Sequence, residues 1–152
     1  MPTANISGGT RPGATATFPG ITPMLGDEEH VIVLPPDQFL SRYAFFTDTT
    51  YATTNLVLTR VRTPAGFAEV TVDCYGSVGG WQPIGAGDRF ETARIDLVRA
   101  DVGVGGCING PQLAESDGPF GLTVWGLDTY SSYAYPAGGN VAQLSDIVIP
   151  PG

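Results

Sequence analysis

The sequence predicts an all-β fold, an antiparallel β-sandwich of jelly-roll type, and three observations carry that expectation. Helix-favouring side chains are scarce: the seven basic residues are all Arg, Lys is absent, and charged residues make up only 14% of the 152. Gly (21) and Pro (13) exceed a fifth of the chain, which suits short strands joined by tight turns. Three segments also alternate apolar and polar residues with the period of two that half-buries a strand. Ala68, Val70, Val72 and Cys74 oppose Glu69, Thr71 and Asp73; Ala93, Ile95 and Leu97 oppose Thr92, Arg94 and Asp96; Phe120, Leu122 and Val124 oppose Thr123 and Trp125. Three such strands cannot each bury a face without a second layer to pack on.

The length allows one domain, expected over residues 21–150. Residues 1–20 are mostly Thr, Gly, Ala, Pro and Ser and are expected to form a flexible arm. Within it, Ala14-Thr15-Ala16-Thr17-Phe18 has a strand-like alternation able to pair with a neighbour's sheet edge, and Asn5-Ile6-Ser7 matches a glycosylation acceptor. His30 to Leu34 reads as a buried strand stopped by Pro35-Pro36. Pro36 to Leu40 can form one helical turn before Tyr43-Ala44-Phe45-Phe46 resumes as strand. The glycines of 76–80, 85–88 and 103–106 mark turns; no Lys-Ser/Thr ending accompanies them, so they are not phosphate loops. Val141, Leu144, Ile147 and Ile149 are expected to close the sheet.

Composition also narrows function. A net charge of −8 argues against nucleic acid, whose phosphates require clustered Arg or Lys. No run of about 18 apolar residues predicts a membrane span, and Pro, Thr, Ala and Asn after Met1 do not read as a signal peptide. His30 is the one side chain that titrates near neutrality, and no Gly-x-Ser-x-Gly elbow accompanies it, so the chain is read as not an enzyme. The scattered carboxylates single out no catalytic pair and read as solvated turn caps. One His and two separated Cys cannot close a zinc site, and no cofactor is expected. A weak structural calcium site at Asp27-Glu28-Glu29, or at Asp101 with Asp117, stays open.

Two segments go further: Asp117-Gly118-Pro119-Phe120-Gly121-Leu122-Thr123-Val124-Trp125-Gly126, and Ser132-Tyr133-Ala134-Tyr135-Pro136-Ala137-Gly138. Together they resemble the closing strand and tyrosine turn of the IgGFc-binding-protein N-terminal domain family, in its bacterial surface-protein members. The resemblance extends through Tyr43 to Asp48, Asn55 to Leu58 and Trp81 to Gly85, covers roughly residues 20–150, and corresponds to the later half of that domain. Where the family often has Gly-x-His before the closing strand, this chain reads Asn109-Gly110-Pro111. The resemblance implies an extracellular or cell-surface adhesive module, while a fold does not by itself transmit a ligand. In such a setting Cys74 and Cys107, 33 positions apart, read most simply as one disulfide, with two buried thiols as the alternative. Trp81, Tyr130, Tyr133 and Tyr135 are the candidate ligand contacts, because aromatic rings supply contact area at low entropy cost and stack on sugars. The expected function is non-catalytic recognition of a glycan or protein. The alternative is a structural subunit that self-associates through its N-terminal arm.

Overall fold

Short apolar stretches separated by glycine and proline leave the chain little choice but hairpins, and nine antiparallel strands result among the described residues. A computed structural model describes residues 25–140. The strands are β1 (Leu40–Thr47), β2 (Thr53–Val61), β3 (Val70–Val72), β4 (Gly76–Ser77), β5 (Gln82–Ile84), β6 (Phe90–Arg99), β7 (Val102–Gly103), β8 (Gly110–Asp128) and β9 (Ser131–Pro136). A 3-10 turn at Pro36–Gln38 precedes β1, with proline where its missing N–H is harmless. All nine join one sheet, in the order β4-β3-β8-β2-β6-β5, with β1 and β9 added on β8 and β7 on β6. The all-β antiparallel expectation holds. The layers of the sandwich are continuous, a single sheet curled into a half-barrel.

The curl comes from β8. Its first half pairs with β1 on one edge and β3 on the other, so that Ala114 lies between Tyr43 and Val72. Its second half lies between β2 and β9, with Val124 flanked by Leu56 and Tyr135. At the join, Arg42 of β1 faces Glu115 but Leu40 faces Phe120, so residues of β8 loop out of the ladder. Ser116-Asp117-Gly118-Pro119 occupies that break, where a bulge bends a strand and where Gly and Pro are tolerated.

Bending folds one face of the sheet inward. Leu56 and Leu58 of β2, Val70 and Val72 of β3, Ala93, Ile95 and Leu97 of β6, and Phe120, Leu122 and Val124 of β8 meet Tyr43 and Phe45 of β1 in one core. The three alternating segments thus bury the faces their pattern predicts, each large aliphatic contributing about 1.5–3 kcal/mol relative to exposure. Cys74, just after β3, and Cys107, just before β8, form the disulfide, with Cα atoms 4.9 Å apart.

The segment His30 to Leu34 corrects one expectation, since it is not a strand and leaves Ile32 and Val33 exposed. A strand needs a free edge, and in this region β2 and β9 already take both edges of β8. The segment instead crosses the outer face of the sheet. Val31, Leu34 and Phe39 face Val57, Thr123 and Trp125 around an apolar cavity of about 200 Å³. The expected arm, with its glycosylation triplet and strand-like stretch, and the expected closing strand at 141–150 lie outside the described residues.

Closing a loop of this length removes chain entropy from the unfolded state worth about 3 to 4 kcal/mol. Urea unfolding with and without reductant should therefore differ by about that amount, and coincident curves would show that the bridge is not a main support of the fold.

Candidate binding surface

The tyrosine turn is built into the framework. Tyr133 stands opposite Gly126 in the β8–β9 ladder, and its ring lies where a Cβ at position 126 would be. A glycine is required there by this close approach. The Tyr133 hydroxyl accepts the Asp48 N–H at 2.9 Å. The Tyr135 hydroxyl accepts the Phe46 N–H at 3.3 Å and donates to the Phe46 carbonyl. Phe46 and Asp48 lie at the end of β1 remote from β9, because Leu40 is the β1 residue that faces Phe120 while Pro136 faces Thr123. The two side chains therefore span the hollow of the sheet and fasten an outer edge that no strand covers among the described residues. Tyr51 packs edge-on to Tyr133 at 4.8 Å between centroids. Burial pushes both phenols above their ordinary range, against the opposing backbone hydrogen bonds.

Trp81 is likewise engaged. Its indole N–H donates to the Val78 carbonyl at 2.7 Å, and the Arg60 guanidinium lies 4.1 Å from the ring centroid. Arg60 also binds Glu91 through Nε and Nη2 and the Ala68 carbonyl through Nη1, so one side chain ties β2 to β6 and to the loop before β3. Trp125, which the sequence analysis placed on a strand, lines the outer cavity.

Tyr130 differs from the other three. It sits at the tip of the β8–β9 hairpin, half exposed, with φ of 51°. A bulky side chain in that left-handed region costs about 1–2 kcal/mol. The neighbouring loops share the property: Ala100 and Asp101 have φ of 51° and 65°, and Val102 and Ile108 are 67% and 74% exposed. Short bonds hold these loops together. The Asp101 N–H donates to the Ala52 carbonyl at 2.7 Å, the Asn109 amide to the Tyr51 carbonyl at 3.0 Å, and the Tyr51 and Ser131 hydroxyls bond at 2.8 Å. One end of the sheet thus presents three exposed apolar side chains on braced backbone. Carboxylates lie near it: the Ser132 hydroxyl contacts the Glu29 carboxylate and the Asp27 backbone, Asp101 and Asp128 adjoin the tips, and Asp48 is held below the usual carboxylate range by the Thr50 hydroxyl and N–H. Nothing in the sequence singles out Val102 and Ile108, because only the fold brings their loops to the same end of the sheet as Tyr130.

His30 is exposed. Among the described residues no three His, Cys, Asp or Glu side chains gather at metal-binding distance.

The model of the family described as "IgGFc binding protein" matches residues 6–126. The chain belongs to that family. No curated protein and no solved structure matches it. In this IgGFc-binding family member the matched span takes in β1 to β7, both cysteines and most of β8, and the tyrosine turn follows directly after it. The bridged cysteines agree with the oxidising surroundings of an extracellular family.

Two outcomes follow from the tyrosine framework. Gly126→Ala should cost about 2 kcal/mol by displacing the Tyr133 ring, read as a fall in Tm of several degrees. The phenols hold their protons more tightly folded than unfolded, so the unfolded chain ionises first above pH about 10 and stability declines as pH rises from there. Tyr133→Phe should flatten that alkaline decline; an identical pH profile would remove Tyr133 from its cause.

Proposed function

We propose that the chain is a non-catalytic extracellular binding module that engages a protein partner through the loop end of its sheet, with Tyr130 at the centre. The carrying observation is Tyr130 itself, a large aromatic kept exposed at a backbone angle that glycine would adopt without strain. Strain of this kind is retained where the side chain is used. Val102 and Ile108 supply apolar contact beside it, and a tyrosine among small apolar neighbours is the composition of interface hot spots. The surrounding carboxylates favour a partner with a basic rim and a salt-dependent on-rate. The family description names the Fc part of immunoglobulin G, which makes Fc the first protein to try.

Immobilised full-length chain should be titrated with Fc and with a panel of secreted proteins by biolayer interferometry. Saturable binding weakened at least about tenfold by Tyr130→Ala is expected, the size of a hot-spot truncation. Tyr130→Gly should weaken binding equally while leaving Tm unchanged or raised, since it relieves the strained angle. A partner bound equally well by both variants and by Ile108→Ser would rule out this end of the sheet.

A further inference from the structure

Six arginines fall within the described residues, and four of them reach carboxylates: Arg42 with Glu115, Arg60 with Glu91, and Arg94 and Arg99 with Asp96. The chain carries 15 acidic residues, so cations have partners in plenty. Arg62 and Arg89 nevertheless form no ion pair among the described residues, and they stand side by side. The β2–β6 ladder runs to Val61 opposite Phe90, and the Arg62 N–H then donates to the Arg89 carbonyl at 2.9 Å. That register puts the two side chains on the same face as cross-strand neighbours, an arrangement of like charges that disfavours folding. Both residues are exposed, at the end of the sheet opposite the Tyr130 tip.

Their orientation is fixed in advance. The Arg62 Nε donates to the Asp88 carbonyl at 2.7 Å, and its guanidinium lies 4.6 Å from the Phe67 ring centroid. The Arg89 guanidinium lies 5.1 Å from that of Phe90. Stacked guanidinium planes keep their terminal N–H groups in the fork that matches an oxyanion. Between them an anion converts a repulsive pair into two charge-assisted contacts.

We propose that Arg62 and Arg89 form a binding site for an anionic glycan, one that carries sulfate or carboxylate groups. The rings around the pair favour a sugar over an acidic peptide. Phe67 and Trp81 are half-buried planes at the same rim, joined through Arg60, and flat apolar faces of this kind stack on pyranose rings. A peptide segment draws instead on deep apolar pockets for its anchors. The apolar cavity lies on the outer face of the sheet, and the exposed Tyr130 tip lies at its other end.

The test is calorimetric titration of the full chain at low ionic strength with a heparin-derived octasaccharide, a hyaluronan octasaccharide, neutral maltooctaose and a polyglutamate peptide. At least one anionic octasaccharide should bind saturably, weaken with added salt and outcompete the neutral sugar, and the heparin and hyaluronan arms tell sulfate from carboxylate. Arg62→Gln and Arg89→Gln should each lower that affinity about tenfold, while the exposed Arg42→Gln leaves it unchanged. Melting curves of all three variants confirm that folding is intact. Failure of both anionic sugars to bind, or affinity unchanged in both rim variants, overturns the proposal. Equal or tighter binding of polyglutamate overturns it in favour of an acidic protein segment.

Discussion

Backbone hydrogen bonding along β8 governs this molecule. A strand of 19 residues offers two edges, and here both are used along most of their length by four different strands. Because β1 and β3 hold one half and β2 and β9 the other, any bend in β8 moves whole layers relative to one another. The break at Ser116 to Pro119 is that bend, and the core exists because the two halves of the sheet face each other across it. A sandwich made from two separate sheets would gain its layer spacing from side chains alone. This one has a covalent crease.

A single curled sheet leaves open edges, which invite unwanted pairing. On the outer edge of β1 the groups of Phe46 and Asp48 are met by tyrosine hydroxyls from β9 instead of by another strand. The solution requires a long side chain with a terminal hydroxyl, alternation that places two such side chains on the inner face, and a glycine opposite one of them to admit the ring. Tyr133, Tyr135 and Gly126 meet those conditions together. Their joint presence therefore has a reason in the closure of the sheet.

Much of this was legible from the residues. Alternation located the cores of β3, β6 and the second half of β8, and the cysteine spacing anticipated the bridge, because each depends on local pattern or on simple pairing. The first half of β8 was not legible: its buried positions begin with Gly110, Gln112 and Ala114, which make no apolar alternation, and only tertiary pairing carries the ladder past Asp117-Gly118-Pro119. His30 to Leu34 was misread for the converse reason. Its apolar run has strand propensity, yet a strand is a property of a pair, and along the part of β8 that it crosses both edges are already taken. The exposed surface was least legible of all, since Tyr130 is far in sequence from Val102 and Ile108 and reaches the same end of the sheet only through the pairing of different strands.

The Cys74–Cys107 bridge also sets how the chain would respond to tension. A module anchored at one end and gripping a partner at the other is pulled along its length, and unravelling adds contour to the tether. The 33 intervening steps cannot be drawn out while the bond stands, which shortens the available extension by about 110 Å at full stretch. β4 through β7 lie inside that covalent loop. Under load the chain could thus yield the segments before Cys74 and after Cys107 while the loop between them stays closed, so the bond sets an upper limit on its extension.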